Sequence, residues 1–211
     1  MPHFYSFVLH HLRAYSGVGA TLWLACLVGC TTPSLDEPAL QAYVQDPAHG
    51  LTQQVEAGPV SVTCTYRPTD LLVAQELSQA TPTVSIDSLR RSYAGKTYFA
   101  LSLAQNGVEI ENRYLPDAQA FTQALAYLST GIAADVFLVT PARDSIAALA
   151  AIYPRQYGIT GRSTVLLVFD TQQLNLRQGF HLTFRDQQLG LGTLRFPFAA
   201  ADLQALPKLR L

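Results

Sequence analysis

The chain has 211 residues, a formal net charge of −1 at pH 7, 14% charged residues and 49% hydrophobic residues. This composition is sufficient for a well-filled core, and it excludes the large basic patch that nucleic-acid binding requires. It also excludes an acidic solvating tail, because the acidic residues form no long run.

The first thirty residues contain an apolar leader. A polar start with one cation, Arg13, precedes an apolar and small-residue run from Ala14 to Gly29, and no acidic residue occurs before Cys30. The run is too short and too rich in glycine to favour a membrane span. It predicts the core of a signal peptide, covering residues 1–29.

The leader ends on four residues with the order of a lipidation signal: Leu27, Val28, Gly29 and Cys30. They resemble the cleavage box of bacterial lipoprotein signal peptides, in which two aliphatic or small residues and a Gly or Ala precede an invariant Cys. The resemblance implies that Cys30 carries a diacylglycerol thioether and becomes the first residue after cleavage. Cys26 does not fit the box, because Trp23 stands where an aliphatic residue is required. The alternatives are an ordinary secretory leader and an N-terminal anchor helix with a chance cysteine.

The resemblance also implies a location. Acyl chains contribute about 0.8 kcal/mol per buried methylene, and two or more chains hold a protein stably on a bilayer. In lipoproteins of this type an Asp after the Cys marks inner-membrane retention, so Thr31 favours the outer membrane. Asp36 and Glu37 look like the surface-export signal of Bacteroidota lipoproteins. The expected location is a lipid-anchored position in the cell envelope, at its periplasmic or surface face.

Removal of the leader leaves a length that suits one domain. We expect the lipidated Cys and a tether over residues 30–38, where two prolines interrupt any apolar periodicity. A single folded domain is expected over residues 39–211. Cys64 is the only other cysteine in this part, so no intrachain disulfide can form once Cys30 is acylated.

The first half of the domain has patterns of both helices and strands. Val60, Val62 and Cys64 alternate with polar residues, which is typical of a half-buried strand and favours a buried Cys64 over a reactive thiol. Asn106-Gly107 favours a tight hairpin turn. The predicted helices cover 39–44, 69–78 and 85–93, and the predicted strands cover 51–57, 60–66, 97–105 and 108–110.

The second half predicts one longer helix followed mostly by strands. The segment 146–153 is ambiguous, because its alanines favour helix while its short length between two strand-like segments favours strand. We favour strand. The other predicted elements are helices over 117–131 and 199–206 and strands over 136–139, 165–169, 180–184 and 194–198. The whole predicts an α+β domain: a mostly antiparallel sheet of five to seven strands, with two or three helices covering one face.

The sequence contains no convincing catalytic, metal or cofactor motif. His49 lies in a turn and His181 on the polar side of a strand, and neither has another ligand at metal-binding spacing. Glu109 and Glu111 point the same way on a predicted strand, and paired carboxylates can perform acid–base work. A solvated strand face is the favoured interpretation of this pair. No catalytic residue, metal or cofactor is therefore predicted.

One loop between predicted strands concentrates the residue types that anchor interfaces, Tyr and Arg, which combine a large contact area with directional donors. Gly158 and Gly161 shape this loop, so a purely structural turn is the alternative. The candidate partner-binding residues are Tyr153, Arg155, Tyr157 and Arg162.

These features predict a non-catalytic, lipid-anchored envelope protein that binds a partner protein or another ligand, or serves as an accessory subunit of an envelope assembly. The alternative is an envelope hydrolase acting on peptidoglycan, glycan or lipid. A pocket containing Glu109, Glu111 or His181 would favour the hydrolase. An exposed apolar patch would favour the assembly subunit.

Overall fold

Two antiparallel β-sheets dominate the computed structural model, which describes residues 33–79 and 85–210. The leader and Cys30 lie outside the described residues. The strands are β1 (Ser34–Leu35), β2 (Thr52–Ala57), β3 (Val60–Arg67), β4 (Lys96–Gln105), β5 (Val108–Glu109), β6 (Val136–Val139), β7 (Ser145–Ala147), β8 (Ala150–Ile152), β9 (Ser163–Asp170), β10 (Phe180–Arg185), β11 (Thr193–Phe198) and β12 (Lys208–Leu209). The α-helices are α1 (Glu37–Gln45), α2 (Thr69–Gln79), α3 (Ile86–Tyr93), α4 (Ala118–Ser129) and α5 (Ala200–Ala205).

The larger sheet has six strands in the order β2-β3-β4-β9-β8, with β5 paired to β4. The smaller sheet has the order β11-β10-β6-β7. Every neighbouring pair in both sheets is antiparallel. The predicted α+β class and mostly antiparallel pairing are therefore confirmed, while the second, four-stranded sheet is additional to the prediction.

The main core lies between the inner faces of the two sheets. Successive side chains of a strand point to opposite faces, so Val60, Val62 and Cys64 of β3 point into this core together. Phe99 of the larger sheet contacts Phe198 of the smaller sheet, with ring centroids 5.2 Å apart. Burying an aromatic side chain of this size contributes about 1.5–3 kcal/mol.

Helices cover one end of the opposite, outer face of the larger sheet, as the sequence predicts. Leu72 of α2 packs there against Tyr98 and Val168, which point away from the main core. Helix α1 packs beside them through the buried Leu40 and Val44. Neither α1 nor α2 covers the remaining part of the outer face.

The predicted tether is wrong from Ser34 onward. Residues Ser34 and Leu35 pair in parallel with Lys208 and Leu209, and α1 begins at Glu37. The Asp36 carboxylate caps α1 by accepting a hydrogen bond from the Ala39 amide at 3.0 Å. A two-residue strand has no periodicity to detect, and the proline in the first turn is a helix-start signal that resembles a linker.

The ambiguous segment 146–153 contains strand, as favoured, but it divides between two strands. Strand β7 belongs to the smaller sheet and β8 to the larger sheet. The chain crosses between the sheets at Ala148 and Leu149, whose amides donate to Val136 and Val168 carbonyl oxygens respectively. No local periodicity distinguishes one bent strand from two short strands in different sheets.

Cys64 is fully buried, as predicted. Burial raises the pKa of its thiol, because the thiolate would lose its hydration.

We therefore expect Cys64 to resist thiol reagents in the native protein and to react rapidly once the protein is denatured. The measurement is labelling by a disulfide reagent in a Cys26→Ser, Cys30→Ser background. Rapid labelling without denaturant would contradict this account.

Candidate functional site

Two carboxylates lie inside the protein beside the β4–β5 hairpin. Glu109 is 2% exposed and Glu111 is fully buried. The predicted solvated strand face is therefore wrong. The strand ends at Glu109, and a 3-10 turn over Ile110–Tyr114 directs the following residues inward.

Glu111 is held by hydroxyl donors. Its two carboxylate oxygens accept hydrogen bonds from the Tyr153 hydroxyl and the Ser163 hydroxyl. Ser163 in turn accepts a hydrogen bond from the Ile110 amide at 2.9 Å. Burial, followed by the hydrogen bond to Glu111, raises the pKa of Tyr153. The hydroxyl of Tyr153 is therefore held in its protonated, donating form.

Glu109 holds the middle of the loop that joins β8 to β9, residues 153–162. Its carboxylate accepts a hydrogen bond from the Gly158 amide at 2.8 Å. The loop also lies against the hairpin turn, since a Cβ atom at Gly161 would stand 2.5 Å from the Gly107 carbonyl oxygen. Residue 161 has a φ of +65°, so glycine is required there for both space and conformation.

The four predicted binding residues have different surroundings. Tyr153 and Arg155 are half-buried, and the Arg155 guanidinium lies between the rings of Phe121 (5.1 Å) and Tyr157 (4.6 Å). These two residues contribute to the structure of the loop. Tyr157 is 75% exposed, and Arg162 is exposed at the base of the loop. The partner-binding role of the set stays a prediction.

A cleft of about 420 Å³ opens beside this loop, on the outer face of the larger sheet. Helices α1 and α2 supply one side of it, through residues such as Gln41 and Leu71. We call it the outer-face cleft. Its hydroxyl and guanidinium side chains are those of Thr52, Thr63, Thr65, Ser102, Thr164, Arg67 and Arg162.

The hydroxyl groups are aligned by strand register. Thr63 of β3 stands opposite Ser102 of β4, which stands opposite Thr164 of β9. The Ser102 and Thr164 hydroxyl oxygens are 2.8 Å apart. In the adjacent row the Thr52 and Thr65 hydroxyl oxygens are 3.0 Å apart, within hydrogen-bond distance. The floor of the cleft thus carries hydroxyl groups on four strands, with Ala100 as its apolar member.

The two arginines give the cleft a positive character. The ion pairs formed within residues 33–79 and 85–210 are Arg90–Asp70 and, when the imidazole is protonated, His49–Asp46. Arg67 and Arg162 therefore have no anionic partner in the described part of the chain. Burial lowers the pKa of Arg67, because its charge is partly removed from water. A second hollow of about 660 Å³ continues from Arg67 toward Gln156 of the loop.

The described lining of the cleft carries hydroxyl, guanidinium and amide groups. No carboxylate, histidine or cysteine lines its described floor. His49 stacks on Tyr43, with ring centroids 3.6 Å apart. Among the described residues, no group of three His, Cys, Asp or Glu side chains is arranged to hold a metal ion. None of the described helices is long and apolar enough to cross a membrane.

Sequence reasoning singled out Arg162 but missed Arg67 and the hydroxyl rows. The available signal was the polar face of β3, where Thr63 and Thr65 precede Arg67 at alternate positions. That pattern equally describes a strand face open to water. What makes it a cleft is register with Ser102 and Thr164 and the side formed by α1 and α2, none of which is local in sequence.

Replacing Glu111 with Ala leaves the Tyr153 and Ser163 hydroxyls without their acceptor. We expect the free energy of unfolding to fall by about 3 kcal/mol, because buried donors lose their partner. Urea denaturation measures this change. The matched control is Glu56→Ala on the exposed side of β2, expected to change stability by less than about 0.5 kcal/mol. Equal effects of the two substitutions would contradict the structural role of Glu111.

Comparison with known proteins places the chain in no established group. No family model matches it, and neither the curated proteins nor the solved structures contain a significant match.

Proposed function

We propose that the chain is a lipid-anchored bacterial envelope protein that binds a ligand or partner at the outer-face cleft and the neighbouring loop, without catalysing a reaction on it. The anchoring half is supported by the lipobox resemblance at Leu27 to Cys30. The binding half is supported by the concave arrangement of Arg67, Arg162 and the hydroxyl rows. An outer-membrane position follows the resemblance at Thr31.

The observation that carries the binding half is the absence of an anionic partner for Arg67 among the described residues, although its guanidinium is half-buried. A partly desolvated charge is unfavourable unless a counter-charge or hydrogen-bond acceptor compensates it. Arg67 lies at the edge of a polar cleft, so a hydrogen-bond acceptor on a bound ligand would supply this compensation.

The hydrolase alternative has less support. It requires a carboxylate or histidine directed into a pocket with convergent donors. Glu109 and Glu111 instead accept hydrogen bonds from Gly158, Tyr153 and Ser163, and neither lines the outer-face cleft.

A protein partner is favoured by a separate observation. Tyr157 and Ile159 at the tip of the loop are 75% and 83% exposed, and Val108 of the adjoining hairpin is 46% exposed. Large apolar side chains that cluster in the open are typical of interaction sites. The accessory-subunit form of the proposal uses this loop tip as its contact with the assembly.

Lipidation is tested by Cys30→Ser. We expect the natural chain to be recovered in the membrane fraction, cleaved before Cys30 and heavier by the lipid, and the variant to be neither cleaved there nor lipidated. The measurement is membrane fractionation with mass spectrometry, and Cys26→Ser is the matched control. A mature chain that begins upstream of Cys30 would contradict the anchoring half.

The loop tip is tested by Tyr157→Ala combined with Ile159→Ala. We expect crosslinking in intact cells to lose its specific adduct, because the substitution removes the exposed apolar contact area. Leu149→Ala is the matched control, since Leu149 is 62% exposed at the crossing between the two sheets. An adduct that survives the loop substitutions, or disappears with Leu149→Ala alone, would remove the loop tip from the proposal.

A further inference from the structure

We infer that the outer-face cleft binds an acidic saccharide, an extended hydroxyl-bearing molecule with at least one carboxylate or phosphate group. This inference rests on the proposed function and names its ligand class. Three properties of the cleft lead to it: the charge at its two ends, the chemistry of its floor and its length.

The charge at both ends selects an anion. Arg67 lies at the end of β3, and Arg162 directly precedes β9. Each presents a planar guanidinium, which binds carboxylate and phosphate through two parallel hydrogen bonds. Glu37 is the one acidic residue that lines the described part of the adjoining hollow, and it is exposed there. The cleft therefore favours a negatively charged occupant.

The floor between the arginines selects a molecule with hydroxyl groups. A Ser or Thr hydroxyl donates one hydrogen bond and accepts others, so a row of them pairs with sugar hydroxyls in either direction. Thr63, Ser102 and Thr164 form such a row across three strands. Ser102 and Thr164 already share one hydrogen bond, and each hydroxyl oxygen keeps further capacity that a sugar hydroxyl would fill and an apolar ligand would not.

The length of the cleft excludes a free ion as the full occupant. Thr63 and Arg67 are separated by two same-face steps along β3, which is roughly 13 Å of backbone. Arg162 lies one same-face step beyond Thr164, on the opposite side of the hydroxyl row. An occupant that contacts both arginines must be longer than one phosphate or carboxylate group. Single-stranded nucleic acid fits poorly, because its recognition uses aromatic stacking platforms and no aromatic residue lines the described floor.

The test is calorimetric titration of the full lipidated chain in detergent with four probes. Trigalacturonate supplies carboxylates on a saccharide, and glucose 1,6-bisphosphate supplies phosphates on a sugar. Maltotriose is the neutral saccharide control, and inorganic phosphate is the free-ion control. We expect at least one acidic probe to bind, with affinity that falls as salt is added. The acidic probe that binds more tightly shows whether the cleft prefers carboxylate or phosphate groups.

The substitutions Arg67→Gln and Arg162→Gln are each expected to weaken that binding about tenfold or more, since each removes a charge-assisted hydrogen-bonding group. Arg195→Gln is the matched control, because Arg195 is exposed on β11 and lies outside the cleft.

The melting temperature of each variant distinguishes a role in ligand binding from a role in stabilising the fold. For Arg67→Gln we expect it to stay constant or rise, since a half-buried charge is removed, whereas a structural role for Arg67 would lower it.

Four results would overturn the inference: no binding of either acidic probe at millimolar concentration, equal binding of maltotriose, equal binding of inorganic phosphate, or unchanged affinity in both arginine variants. These results leave the anchoring half of the proposed function and its loop-tip contact standing if the chain is lipidated at Cys30 and the loop-tip adduct is still formed. Conversely, an unlipidated chain that binds an acidic probe through Arg67 removes the anchoring half and retains this inference.

Discussion

The structure depends on the burial of the Glu111 carboxylate. A buried carboxylate is costly unless hydrogen-bond donors surround it, and two hydroxyl donors, from Tyr153 and Ser163, meet this requirement. Ser163 lies at the start of a central strand, and Tyr153 at the start of the loop. With the Glu109 bond to the Gly158 amide, these contacts fix where the loop lies against the larger sheet.

The position of the loop determines the shape of the neighbouring surface. Helices α2 and α3 cover one end of the outer face of the larger sheet, and the loop stands beside the uncovered part. The surface between them is concave, and strand register makes it polar. Arg67 and Arg162 are therefore held at the ends of a cleft by elements that are far apart in sequence. A concave border that is already formed favours binding, because little ordering is required when a ligand arrives.

The sequence predicts much of the fold and less of the site. Alternation along β3 is enough to place Cys64 in the core, because the apolar side of such a strand packs against other apolar residues. The polar side can face either water or a polar interior, and the sequence pattern is the same in both cases. For that reason Glu109 and Glu111 resembled a solvated pair, and Arg67 did not stand out. Tyr153 and Arg162 were singled out because a loop rich in Tyr and Arg is unusual in itself. Their different roles depend on partners that are distant in sequence, such as Glu111.

The most direct test of the account is hydrogen exchange at the Gly158 amide, followed together with the Ile110 amide. Both groups donate to buried side chains beside the β4–β5 hairpin, Glu109 for the first and Ser163 for the second. If the buried carboxylates hold the loop in place, the Gly158 amide is protected, although it lies in an exposed loop, and exchanges far more slowly than a free peptide. Exchange of Gly158 at the rate of a free peptide, while Ile110 stays protected, would contradict the claim that buried carboxylates hold the loop in place.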